Sequence, residues 1–366
     1  MNIIKSYPIP VTILDGLDRA EEAIQFVVIN YTQKKVEPDL VLRILHKRFR
    51  DRCEKLEFFL KRQTWRLYAV DICDQLNDDP KSPWFDKIIA PGESRKGKII
   101  IEQNFINSLE LVYPRLSPDI DIVKNYLPLY WRAIANVWPE CTGDKASNYS
   151  MLRTNGIAAF HGMFPFIYFK SVSLGTASIK DFMKYLTPLR KNYGPDFWKR
   201  GGRAKMYSSK GAQRMLTDEM IANTLPGGKS FKLDKLHKNL EGTKEARTWA
   251  VAEKLIPLRS YSLFTPENVN KVAAGDATGI YILYSFSHQK YYTGRTEKAN
   301  LKSRLQSHLQ KKNENNMHIF NHHPCKDAKQ AHDMECALYH LLPKHVLLNK
   351  EHPSALDDRK CPFCSA

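Results

Sequence analysis

The sequence predicts two domains: an N-terminal mixed α/β unit, then a small α+β unit in which a β-hairpin leads a sheet flanked by helices. Three observations lead there. The chain has 366 residues, and a single hydrophobic core stops growing at about 250–300 residues. As far as Leu225, strand-like alternation and helical spacing take turns. From Phe264 onward the chain instead opens with two short alternating runs around a polar turn, the pattern of a hairpin.

The first elements follow from local patterns. "PIPVTIL" alternates as a strand does, and "DRAEEAIQFVVIN" switches to helical spacing that puts Ile24, Val27 and Val28 on one side. Asp18 with Glu21 three residues on has the form of a capping box, which starts that helix. Pro38 opens a second helix, "PDLVLRILHKRF", where its missing N–H costs nothing. "GKIIIEQ" reads as a strand and "VKNYLPLYWRAIANVW" as a long helix, which favours an α/β domain over a bundle. "PGGKSFKLDKLHKNLEGTKEARTW" is polar, bears glycines at its start and has little apolar periodicity, so it reads as a connector. The expected organisation is a first domain over 1–235, a linker over 236–262 and a second domain over 263–366.

Charge narrows the function classes. Lys and Arg number 56 against 39 Asp and Glu, a formal charge of +17. That surplus points to a polyanionic partner, with nucleic acid first among them and an inert basic surface as the alternative. No run of about 20 apolar residues stands out, and prolines occupy the start where a signal helix would be, so a cytoplasmic protein without membrane contact is expected. Seven cysteines with one close pair do not make a disulfide framework, which fits a reducing compartment.

The second unit carries the chemistry. "GIYILYS" and "KYYTG" form the hairpin, which brings Tyr281 and Tyr292 near one another, while Gly279 and Gly294 permit close approach. In an isolated hairpin such aromatics simply stabilise the sheet. In "LKSRLQSHLQ", Leu301, Leu305 and Leu309 form the buried stripe of a helix. Arg304 and His308, four apart, project together from a neighbouring face. An arginine fork suits a phosphate oxygen and an imidazole can relay a proton, although such a pair alone is usually a solvated face. "DMECALYHLL" reads as an amphipathic helix with Met334, Leu338, Leu341 and Leu342 apolar; Glu335, among its polar positions, could hold a hard divalent cation. "VLLNKEHP" ends a short apolar run on Asn349. The terminal "CPFC" sets Cys361 and Cys364 at zinc-ligand spacing. Two ligands do not make a site; His352 or Cys325 are candidates to complete one, and the reading weighs against structural Zn2+. The histidines of "HIFNHHPC" are taken as surface groups beside a nucleic-acid groove.

In order and spacing, Gly279-Ile280-Tyr281, Tyr292-Thr293-Gly294, Arg304 with His308, Glu335 and Asn349 resemble the GIY-YIG endonuclease family over roughly Phe264 to Pro353. The one departure is Thr293 for the middle isoleucine, at a strand position. The resemblance implies phosphodiester hydrolysis of DNA with one Mg2+ or Mn2+ held by Glu335. Arg304 would neutralise a non-bridging phosphate oxygen. Tyr281 would be the general base, handing its proton toward His308, with Tyr292 able to exchange roles with it. Asn349 would support the site by hydrogen bonding, and Arg295 would contact nucleic acid.

Segments of the first half, "FVVINYTQKKVEPDLVLRIL", "LNDDPKSPWFDKI" and "YSMLRTNGIAAF", resemble the downstream portion of DGQHR-type domains, found in bacterial DNA-phosphorothioate systems and related defence proteins. The naming signature is missing: Asp15-Gly16-Leu17-Asp18-Arg19 imitates it but lacks the Gln and His. The half is therefore expected to be either N-terminally incomplete or only a DNA-sensing remnant, and without nucleotide hydrolysis. Late in it, Lys199, Arg200, Arg203, Lys205, Lys210 and Arg214 lie among glycines and suit a phosphate backbone, with Trp198 or Tyr207 to stack on a base. The competing account is a solvated basic loop with Trp198 in the core. The combined expectation is a DNA endonuclease of a restriction or defence system, in which the N-terminal half senses DNA or regulates, the C-terminal domain cuts, and partner proteins of that system take part. The alternatives are a repair or mobile-element nuclease and a non-cutting DNA-binding regulator.

Overall fold

The computed structural model describes residues 65–364 apart from 117–119, 226–241, 274–277, 298–299, 312–315 and 358, together with Gly16, Glu22, Gln25, Leu42, Arg43 and His46. The first strand, most of the first two helices and the Asp15–Arg19 signature mimic lie outside the described residues. Leu42, Arg43 and His46 are helical, as expected of "PDLVLRILHKRF". Arg43 pairs with Asp74 at 2.8 Å and with the fully buried Glu102 at 2.9 Å.

In the first half, α1 (Trp65–Asp78) leads to β1 (Ile88–Ile89) and β2 (Ile100–Ile101), a parallel pair two residues long. Helices α2 (Glu102–Ser108), α3 (Ile120–Val137), α4 (Thr154–Leu174), α5 (Ile179–Leu186) and α6 (Lys210–Asn223) follow. Among the described residues this half is therefore largely helical, with β1 and β2 as its strand component. "GKIIIEQ" yields only the two residues of β2 before the chain turns into α2. α5 is held at its start by a capping box between Ser178 and Asp181.

α4 is long and apolar enough by length and composition to cross a membrane, which the sequence reading overlooked. Its residues from Gly156 to Ser171 are nevertheless buried inside the protein, so it serves as the central core helix. The fully buried His161 on this helix lies 2.8 Å from Ser108 Oγ and accepts a hydrogen bond from Trp131 Nε1 at 3.0 Å.

The stretch read as a connector contains α7 (Lys244–Glu253), capped by Thr243 and buried through Trp249. After it come β3 (Ser262–Leu263), α8 (Pro266–Asn270), β4 (Gly279–Ser285), β5 (Lys290–Thr296), α9 (Leu301–Gln310), β6 (Ile319–Pro324) and α10 (Ala328–Leu341). The four strands form an antiparallel sheet in the order β3-β6-β4-β5.

β4 is buried at every position because the sheet is covered on both faces. Tyr281 and Leu283 face a small cluster with Leu301 and Leu305 of α9 and Val269 of α8. Ile280, Ile282 and Tyr284 face the main core with Met334, Ala337 and Leu338 of α10. That main core runs without a break from Leu42 to Phe363, across the expected domain border. Phe166 of α4 meets Phe286, just past β4, at 5.6 Å, and Arg259 pairs with Asp218 of α6.

Candidate active site

The hairpin register sets the site. Tyr281 lies opposite Gly294, and Tyr292 lies opposite Leu283 two residues along, so both tyrosines share a face with ring centroids 6.4 Å apart. A Cβ on Gly294 would sit 2.3 Å from the Tyr281 hydroxyl oxygen, so only glycine lets the ring lie there. A Cβ on Gly279 would meet the His323 carbonyl at 2.8 Å, which serves the close packing of β4 on β6.

α9 presents its expected face to these tyrosines. The Tyr281 hydroxyl is 2.8 Å from His308 Nε2 and accepts a longer bond from Arg304 Nε at 3.4 Å. With Arg304 donating to it, the phenol donates to His308, whose Nε2 must then carry a lone pair. Burial, then the charges of Arg304 and Lys311, push the His308 pKa down to about 4, so the ring is neutral at pH 7. Burial and Tyr292 raise the Tyr281 pKa above that of an ordinary phenol, with Arg304 opposing them. The hydrogen bond it donates to Tyr281 holds Arg304 above its usual value, and Arg304 also interacts with Tyr292.

Across the cleft, Glu335 projects from α10 and is 8% exposed. Its Oε2 accepts from Arg295 Nη1 at 2.5 Å. Arg295 also pairs with Glu297 at 2.6 Å and donates to the Ser354 carbonyl at 2.9 Å. Arg295 is thus an internal counter-ion rather than the free nucleic-acid contact expected of it. Burial raises the Glu335 pKa, and Arg295 opposes the shift. Sequence reasoning missed Glu297 and Ser354, both of which line the cleft.

Tyr281, Tyr292, Gly294, Arg295, Thr296, Glu297, Arg304, Glu335 and Ser354 enclose an open, polar cleft of about 470 Å³. Glu335 Oε1 has no hydrogen-bond partner among the described residues, which leaves it available to a cation. One carboxylate facing a polar cleft suits Mg2+ or Mn2+, which prefer oxygen ligands and keep several waters. Asn349 stands outside the cleft lining and clamps the edge of β5: it accepts from Thr293 N at 2.9 Å and donates to Thr293 O at 2.9 Å.

The remaining candidates divide. Lys199, Arg200, Arg203, Lys205, Lys210 and Arg214 are exposed. Trp198 is fully buried and donates to the Tyr193 carbonyl at 3.0 Å, so it belongs to the core and does not stack on a base. Tyr207 is half-buried and donates to Glu219 at 3.1 Å. Of the "HIFNHHPC" histidines, His318 is a core residue that accepts from Phe286 N at 3.1 Å. Cys361 and Cys364 come together with His340 and His352, not with Cys325.

Residues 277–340 match the GIY-YIG catalytic domain. The match includes both hairpin tyrosines, Arg304, His308 and Glu335, while Asn349 lies beyond it. Domains of this family are nucleases and generally depend on a divalent metal, and their substrate is DNA. The match does not reach the N-terminal half, whose DGQHR-type resemblance gains no support from it. No curated protein and no solved structure matches the chain.

Proposed function

We propose that this chain is a metal-dependent DNA endonuclease that acts in the cytoplasm as part of a restriction or defence system. One observation carries the nuclease reading: a tyrosine hydroxyl between a neutral imidazole and a guanidinium, at a cleft whose far wall bears a buried carboxylate.

Glu335, through Oε1, would hold a Mg2+ or Mn2+ ion, which when bound supplies charge stabilisation to the scissile phosphate and its leaving oxygen. Arg304, pinned by Tyr281, points a permanent positive charge into the cleft for a non-bridging oxygen. Tyr281 stays protonated at neutral pH, so it does not act as a free phenolate. It acts as a relay, taking a proton from the attacking water on its oxygen while passing its own to His308 Nε2 at 2.8 Å. His308 is fit to receive that proton because it is neutral. Arg295 holds the Glu335 carboxylate in place, and Asn349 holds the β5 backbone beside Tyr292 and Gly294.

The net charge of +17 and the exposed basic run from Lys199 to Arg214 support DNA contact by the helical half. The sensing or regulatory role of that half, and the defence setting, rest on the resemblance of its segments to DGQHR-type proteins.

The test is Glu335→Gln, compared with the parent on supercoiled plasmid in Mg2+. The variant should lose cleavage while binding DNA with nearly parental affinity, because the carboxylate serves the metal and the basic surface serves the phosphates. Equal cleavage by both proteins would remove Glu335 from the metal site.

A further inference from the structure

The last turn of α10, the segment after Asn349 and the C-terminal tail bring four donor atoms to one point outside the cleft. His340 Nε2 and His352 Nε2 are 3.1 Å apart. Cys361 Sγ lies 3.4 Å from His340 Nε2, and Cys364 Sγ lies 3.4 Å from His340 Nε2 and 3.3 Å from His352 Nε2. All four atoms fall within 4.8 Å of one another.

Hydrogen bonding alone explains this convergence poorly. His352 Nδ1 sits 2.9 Å from the Pro353 carbonyl, which can only accept, so Nδ1 carries the proton and Nε2 presents a lone pair. A second imidazole nitrogen and a thiol both crowd that lone pair. Metal bonds of about 2.0 Å to nitrogen and about 2.3 Å to sulfur place the donors of a tetrahedral site about 3.3–3.8 Å apart. The spacings here match a slightly contracted version of that tetrahedron. The Nδ1 bond to a carbonyl is also how metal-bound histidines are oriented.

We propose that His340, His352, Cys361 and Cys364 bind a structural zinc ion. Two sulfurs and two imidazoles in a tetrahedron select zinc over the hard cations, which prefer oxygen. Both cysteines bind as thiolates, so loading releases their protons to solvent. The protein fills all four positions and leaves none for substrate, so the ion is structural rather than catalytic. It joins the tail to α10, the helix that carries Glu335, five residues before His340 in the sequence. It also fixes His352, two residues before Ser354, whose carbonyl holds Arg295 against Glu335. The zinc thereby braces one wall of the cleft from behind, and its presence does not depend on the nuclease reading.

The experiment is metal analysis of the full chain, purified without chelator and reloaded with Zn2+, alongside loading with Co2+. One zinc per chain is expected, and Co2+ should give thiolate-to-metal charge transfer with strong tetrahedral bands. Cys364→Ser should abolish stoichiometric binding and Cys325→Ser should retain it, with helicity followed by circular dichroism. Cys364 is exposed, so its substitution leaves the core intact. The proposal is overturned if the reloaded parent holds well under one zinc, if the Co2+ spectrum lacks thiolate charge transfer, or if Cys364→Ser binds as the parent does. Should Cys364→Ser fail to fold, the parent's zinc content and Co2+ spectrum decide alone.

Discussion

Two histidine–aromatic groups, one fully buried in the helical half and one half-buried in the sheet half, look alike and stand in opposite surroundings. In the helical half, His161 is enclosed by Ser108 and Trp131, and nearby Tyr130 donates to the Phe160 carbonyl at 3.2 Å. In the sheet half, His308 meets Tyr281, with Arg304 beside them and a polar cleft in front. Burial lowers both imidazoles, His161 to about 3 and His308 to about 4. A depressed histidine pKa therefore does not mark chemistry by itself. The distinguishing features are an open cleft and an unspent charge within reach: among the described residues His161 has neither, and His308 has both.

The sharpest way to break this comparison is to remove one hydroxyl from each group. Tyr281→Phe should reduce turnover by about a hundredfold or more, because the proton relay is lost while the ring still packs. Its chemical denaturation midpoint should stay near the parent's, and Tyr292→Phe should cost less activity. If Tyr292→Phe is the inactive variant and Tyr281→Phe the mild one, with equal DNA binding, the two tyrosines exchange roles.

Arg304→Ala should also slow cleavage, by about a hundredfold on the scale of single charge-stabilising donors. It carries a second signature. The relay needs the neutral His308 ring and fails as pH falls through about 4, so at saturating Mg2+, which keeps Glu335 ionised against its burial, the acid limb of kcat/KM should lie near that value. Without Arg304 the limb should move upward, towards an ordinary histidine. An unmoved limb would separate His308 from catalysis.

His161 should instead leave its mark on stability. The unfolded chain takes a proton at about pH 6.5 that the folded one refuses until about 3. Its contribution is thus complete above about pH 6.5 and lost as pH falls towards 3. Urea midpoints measured across that range should decline less steeply for His161→Gln than for the parent. The smallest expected effect is Tyr130→Phe, about 1 kcal/mol of stability for one buried hydrogen bond, with unchanged cleavage. A loss of cleavage there would mean that the helical half reaches into the reaction.

What the sequence made legible follows the range of the interactions. The hairpin and the Arg304–His308 face are set by spacings of two and four residues, and they appear where those spacings put them. Arg295 pairs with Glu335 forty residues away, a partnership no local pattern reveals, and it turned an expected DNA contact into an internal one. His340 is hidden in the same way, at the end of a helix whose local pattern shows only its apolar stripe. The one available signal was the terminal Cys-x-x-Cys with His340, His345 and His352 upstream, of which the fold selects the first and last. "GKIIIEQ" misled because three isoleucines suit a strand, yet tertiary packing gives the strand only two of them. Trp198 was ambiguous because a basic loop and a core aromatic are adjacent in sequence, and only the fold separates them.

The clamp of Asn349 on Thr293 has a consequence for association between chains. β5 is the outer strand of the sheet, and its free side is taken up by the segment that follows α10. Leu347 bridges to Tyr291, Leu348 N donates to Tyr291 O at 2.7 Å, and the Asn349 side chain completes the row by imitating a backbone amide. An exposed hairpin edge is a template on which another copy or an unfolded neighbour can add a strand and begin to aggregate. Here that template is already occupied from within, and at the opposite margin β3 is only two residues long. A hairpin that must keep glycines and polar side chains beside its cleft can thus remain a poor seed for fibrils.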